Sequence, residues 1–114
     1  FLCSTRAVDA RILDGTTFPY TALPATGLYF DPRRFIAFCR TFRQSCRLAR
    51  RLIADSPHSV IIGAGGFVAA PVCMAGHKLG VPVALVNVDL LPGRANRLSA
   101  RWADEIFVQA QYVF

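Results

Sequence analysis

An α/β fold, a parallel sheet with flanking helices, is what these 114 residues predict, and three observations carry the prediction. Short apolar runs rich in β-branched residues alternate with helix-length segments, the signature of βα units. A glycine-rich stretch, Gly63-Ala64-Gly65-Gly66, joins one such run directly to a helical segment. A long segment near residues 32–55 places its apolar residues at helical spacing. With 54% hydrophobic residues, the chain has material for one modest core and one domain.

Taken in order, strands are expected near 1–4, 17–23, 59–62, 82–88 and 105–108, and helices near 32–55, 68–79 and 93–103. Asp14-Gly15-Thr16-Thr17 reads as a turn and Ala25-Thr26-Gly27 as a loop. In the long helix, Phe35, Cys39, Phe42, Cys46, Ala49 and Ile53 form one apolar stripe. Val60 to Ile62 has the composition of a strand covered on both faces. The glycines after it let the backbone turn sharply and leave N–H groups uncovered. Pro71 suits the first turn of the helix that follows, where a missing N–H costs nothing. Such a helix start, at the carboxyl end of a strand, favours an anion. The spacing is neither G-x-G-x-x-G nor a P-loop, so a dinucleotide site is not indicated. Gly80 closes this helix, with Lys78 near its negative end.

Charge is uneven. Thirteen basic residues face seven acidic ones, and the sequence pI is about 9.8. Seven of the basic residues, Arg33, Arg34, Arg40, Arg43, Arg47, Arg50 and Arg51, lie in the long helix, with no acid between Asp31 and Asp55. Most of them are expected opposite the apolar stripe, as a solvated face that can also meet anionic lipid headgroups. Phe30, Phe35 and Phe38 would add a small hydrophobic foot. Nucleic acid, the competing partner for a basic stripe, is set aside because no aromatic platform or binding motif accompanies the arginines. Residues 59–76 carry no charge, yet their glycines and Pro71 fit strand, loop and helix better than a membrane span.

Cys3, Cys39, Cys46 and Cys73 show neither C-x-x-C spacing nor a paired histidine pattern, so no metal site is expected. Cys39 and Cys46 stand seven apart on one helix, roughly 10 Å along its axis and too far for a disulfide. Packing as reduced thiols is their expected role. His58 and His77 are expected at the surface, away from any crevice.

The order Gly63-Ala64-Gly65-Gly66-Phe67-Val68-x-x-Pro71, Gly80-Val81-Pro82-Val83 and Pro92-Gly93-x-Ala95-Asn96-Arg97-Leu98 resembles the MurG-type transferase family of peptidoglycan synthesis. The likeness extends upstream through Phe1 to Arg11 and from Phe18-Pro19 to Gly27-Leu28. It implies a Rossmann-like sheet within the N-terminal domain of a two-domain GT-B glycosyltransferase. The implied reaction moves N-acetylglucosamine from UDP-N-acetylglucosamine to a lipid-linked muramoyl-pentapeptide at the cytoplasmic face of the bacterial inner membrane, with no cofactor. Without an initiator Met, the family's first glycine loop or its donor-nucleotide domain, residues 1–114 read as one partial domain on the acceptor side. An independent small domain is the alternative.

By the same resemblance, Gly65, Gly66 and Phe67 hold the acceptor diphosphate, Asp89 contacts the donor sugar, and Arg40, Arg43 and Arg47 face an anionic membrane. The family's histidine-bearing loop has no counterpart in the chain, so no catalytic residue is assigned. One departure stands out: where the family reads His-Glu-Gln-Asn, this chain reads Val86-Asn87-Val88-Asp89. An ionised Asp89 accepts hydrogen bonds but cannot donate as an amide does. Asn87 in place of the family's acid is expected to remove a charge near the cleft. A non-catalytic module that binds lipid-linked diphosphate or anionic membrane therefore stands beside the enzyme reading.

Overall fold

The computed structural model describes residues 1–27, 31–55 and 60–109. Chain order is β1 (Leu2–Cys3), α1 (Ala7–Asp14), β2 (Thr21–Ala22), α2 (Pro32–Ala54), β3 (Ile61–Gly63), α3 (Gly66–Lys78), β4 (Val83–Asn87), α4 (Arg94–Ser99), a 3-10 turn (Ala100–Trp102) and β5 (Glu105–Val108). All pairings are parallel, as the alternation of strands and helices predicts. The strands form two sheets, β1–β2 and β3–β4–β5. Ile61 stands opposite Val83, and Leu85 opposite Ile106. Asp104 fastens β5 to β4 from both sides of Val83: its backbone N–H donates to the Val83 carbonyl and its carboxylate accepts from the Val83 N–H, both at 2.8 Å.

The core lies where α2 and α3 cross the three-stranded sheet. Ala49 and Ile53 of α2 meet Cys73 and Ala75 of α3, Ile61 of β3 and Val83 of β4, with Leu2 of β1 at the margin. Helix and sheet approach closely because Gly76 lacks a side chain; a Cβ there would fall 2.2 Å from Ile61 Cδ1. Burial pushes the Cys73 thiol up to about 11, so it packs as an inert hydrophobe. Asp31 starts α2 by accepting from the Arg33 N–H at 3.0 Å, with Pro32 in the first turn. At the other end of α3, Gly80 (φ +74°) donates to the His77 carbonyl and Val81 to that of Gly76, the paired bonds of a Schellman stop.

Four expectations are corrected. Helix α1 was not foreseen, because its eight residues carry no buried stripe. An acid in its first turn holds it instead: Asp9 accepts from the Ser4 N–H at 3.0 Å and from the Ser4 hydroxyl. Those bonds hold the Asp9 carboxyl below its ordinary range. Pro71 is not in the first turn of α3, which begins at Gly66 itself; the ring sits one turn further in, buried. There it removes the N–H that would have bonded the Phe67 carbonyl. Strand β3 is covered on one face only, since Ile61 is buried while Ile62 is 67% exposed. Finally, the apolar stripe of α2 is buried only toward its carboxyl end: Ala49 and Ile53 lie in the core, Phe35 is 51% exposed, and Cys39 is exposed rather than packed. His77 is exposed at the end of α3, as expected, while His58 and Phe30 lie outside the described residues.

Candidate functional site

The strand β3 delivers the chain to a turn that only glycine accommodates. Gly65 adopts φ +101° with ψ −176°, and Gly66 follows at φ +77°. The first of these conformations is essentially closed to residues with a Cβ. Helix α3 starts immediately, with Gly65 at its N-cap and no side chain capping it. The leading N–H groups of a helix have no partners within it, and the helix dipole adds partial positive charge there.

This helix start opens on a cavity of about 710 Å³. Gly65, Gly66, Phe67 and Val68 are part of its lining. The rest of the lining comes from β1 and the start of α1, including Ser4, Arg6 and Asp9, and from the loop at Ala25–Gly27. The three residues expected to bind diphosphate thus line one cavity together with Arg6, which the sequence reading did not single out. Arg6 is visible only once β1 and β3 are placed, because some sixty residues separate it from Gly65. Phe67 is half-buried and offers a wall, with no hydroxyl to donate.

Asp89 is exposed in the loop after β4, at the same carboxyl edge of the sheet. Asn87 departs from expectation. It is 2% exposed, and its amide is used inside the fold rather than facing a cleft. Its Nδ2 donates to the Asp89 carbonyl at 2.7 Å, while its Oδ1 accepts from Asn96 Nδ2 at 2.5 Å. A charge at this position would be buried, so its absence does not alter an open cleft.

Arg40, Arg43 and Arg47 are all exposed on α2. Arg43 is not opposite the apolar surface, however. It lines a groove of about 460 Å³ together with Phe38, Cys39, Phe42, Leu98 and Trp102. The rings run as a ladder, Phe35 to Phe38 at 6.5 Å, Phe38 to Phe42 at 5.7 Å and Phe42 to Trp102 at 6.3 Å between centroids. None of the helices in the described residues is long and apolar enough to cross a membrane.

Known proteins match this chain along nearly all of its length. A UDP-N-acetylglucosamine--N-acetylmuramyl-(pentapeptide) pyrophosphoryl-undecaprenol N-acetylglucosamine transferase of Pelobacter propionicus is 30% identical over 113 residues, 95% of this chain and 29% of that protein. The protein of the same description in Desulforamulus reducens is 29% identical over 110 residues, again 95% of this chain and 29% of that protein. The chain therefore spans a little under a third of the length of these relatives. In three dimensions it superposes on the crystal structure of Acinetobacter baumannii MurG with a TM-score of 0.82, at 20% identity, over 99% of this chain and 33% of that one. That likeness bears out the expected Rossmann-like fold. Residues 1–108 match the glycosyltransferase family 28 N-terminal domain, and the chain belongs to that family.

Proposed function

We propose that these residues form the acceptor side of a transferase that moves N-acetylglucosamine from UDP-N-acetylglucosamine to a lipid-linked muramoyl-pentapeptide in peptidoglycan synthesis. The observation that carries this reading is the uncapped start of α3 at the Gly65–Gly66 turn, opening on a cavity of about 710 Å³ that Arg6 also lines. Backbone N–H groups and an arginine around one cavity suit a diphosphate, which needs several donors and positive charge. Gly65, Gly66 and Phe67 would hold it; Asp89, at the same edge, would accept from hydroxyls of the donor sugar. The base for the acceptor hydroxyl and the groups that support the departing nucleotide would come from outside residues 1–114.

Peripheral attachment to the cytoplasmic face of the inner membrane belongs to the same proposal. The aromatic ladder beside Arg43 supports it, since partly exposed rings next to a cation suit an anionic lipid surface. This attachment and the acceptor site are independent claims and are separately testable.

Turnover of UDP-N-acetylglucosamine is the deciding assay. The 114-residue chain alone is expected to show none, because groups that act together must be held together. Joined to a donor-nucleotide domain, it is expected to transfer the sugar, and Gly65→Ala in that enzyme to abolish transfer. Turnover by the 114 residues alone would overturn the two-part reading. One departure favours a second reading: by the resemblance drawn from the sequence, Asp89 stands where that family carries an amide. If the two-domain chain binds lipid-linked acceptor yet turns over no nucleotide sugar, and Asp89→Asn does not restore turnover, the chain is a binding module.

A further inference from the structure

Two buried amides link the places assigned above to donor and acceptor. Asn87 ends β4 at 2% exposure, and Asn96, in α4, is 5% exposed. The Asn87 amide has no choice of orientation. Its Nδ2 faces the Asp89 carbonyl, an acceptor, so its Oδ1 must face Asn96, and Asn96 must answer with its own Nδ2. That leaves Asn96 Oδ1 on the far side, buried and without a hydrogen-bond partner among the described residues. This oxygen lies against the glycine turn: a Cβ built on Gly65 would be 3.0 Å from it. Buried acceptors left unpaired are uncommon in folded proteins and each needs a reason.

We infer that Asn87 is a positioning residue. Through Asn96 it holds the Gly65–Gly66 turn in its left-handed form, and through the Asp89 carbonyl it ties the Asp89 loop to the same support. Neither amide touches ligand in this arrangement. The chain runs Asp89 carbonyl, Asn87, Asn96, Gly65: the first two links are hydrogen bonds, and at the third the Asn96 amide stands where a side chain on Gly65 would go. The turn and the loop thus share one rigid brace, so a change at one is felt at the other. The functional half of the inference rests on the reading of the turn as a diphosphate site; the structural half does not.

Two variants separate the links. Asn87→Leu is close in size and removes both the donor and the acceptor. Asn87→Asp keeps an oxygen for Asn96 Nδ2, while its second carboxylate oxygen replaces the donor to the Asp89 carbonyl with a buried charge that repels it. The readouts are the backbone amide resonances of the whole 114-residue chain and its affinity for inorganic pyrophosphate. Asn87→Leu is expected to shift the Gly65 and Gly66 amides and to weaken pyrophosphate by about 5-fold. Asn87→Asp is expected to move the amides of Asp89 and Leu90 and to leave those of Gly65 and Gly66 in place. Val83→Ala serves as a control that loosens the core without touching the brace; it should lower the melting temperature and leave pyrophosphate affinity unchanged.

Unmoved Gly65 and Gly66 amides in Asn87→Leu would overturn the inference, as would identical behaviour of the Asp and Leu variants. If Asn87→Leu does not fold, Asn87→Asp decides alone, and any pattern other than a movement confined to Asp89 and Leu90 overturns the brace. Failure of the unaltered chain to bind pyrophosphate removes the diphosphate reading instead, while the ligand-free resonances still judge the brace.

Discussion

The two halves of α2 carry the same apolar spacing and meet different fates. Toward its carboxyl end, Ser45, Ala49 and Ile53 are buried against α3 and the sheet. Toward its start, Phe35 and Ile36 are exposed and Phe38 and Phe42 only half-covered, and their rings stack along the helix to Trp102. Helical spacing names a face; it does not name what covers the face. In one half a neighbouring helix does so. The other half leaves large apolar groups in water beside exposed arginines, the arrangement expected of a docking surface.

The largest test of this contrast is a pair of truncations. Ile53→Ala opens a cavity in the core and is expected to lower stability by about 2–5 kcal/mol. Phe35→Ala, one end of the same stripe, should change it by no more than about 0.5 kcal/mol, because an exposed side chain leaves no cavity. Urea melts of the two variants, compared at equal unfolding slope, would read the difference; equal losses would mean that the start of α2 is packed after all.

Binding should show the reverse order. Replacing Arg40, Arg43 and Arg47 together with Gln is expected to weaken attachment to anionic vesicles by about 3 kcal/mol, at about 1 kcal/mol per charge, with the melting temperature unchanged. Added salt should weaken the unaltered chain in the same direction, since exposed charges are screened beyond about 8–10 Å at physiological ionic strength. Sedimentation with neutral and anionic vesicles checks both, and equal binding to the two would end the electrostatic account.

Cysteine chemistry sharpens the comparison at residue scale. Cys39 is exposed, whereas burial pushes the Cys46 and Cys73 thiols up, the latter to about 11. A raised thiol carries less thiolate at any pH below its titration, so it reacts more slowly. At pH 8 a small alkylating reagent should therefore label Cys39 first, Cys46 more slowly and Cys73 last, as mass spectrometry of timed samples would show. Anionic vesicles should protect Cys39 alone.

Ser45 offers the smallest effect. Its hydroxyl is fully buried with no hydrogen-bond partner among the described residues. Ser45→Ala removes an unsatisfied group, so stability should stay level or rise by up to about 1 kcal/mol. A clear loss in the same urea melts would show that the hydroxyl has found a partner.

Much of this molecule was legible before any coordinates. The helix over 32–55, the strand–turn–helix at Ile61 to Lys78 and the stop at Gly80 all follow from local chemistry: spacing, glycine's tolerance of positive φ and the pairing of helix-end carbonyls. The proposed anion site rests on equally local chemistry, since the N–H groups at the start of the helix belong to consecutive residues. Helix α1 was not, because its support, Asp9 reaching back to Ser4, leaves no periodic apolar signal. Pro71 was misplaced because a helix can begin on the glycines themselves, and sequence spacing does not reveal where its first turn closes.

What the sequence by itself determined is the class of fold, the family and the position of the turn, all matters of residues adjacent in the chain. Only tertiary structure decided that Arg6 and Gly65 line one cavity, that Arg43 lines the aromatic groove, and that the Asn87 amide is buried and bonded to Asn96 rather than open to a cleft. Each of these joins residues remote in sequence or fixes which way a side chain turns. Such relations depend on how helices settle on the sheet, a balance of packing and hydrogen bonding that no local pattern encodes.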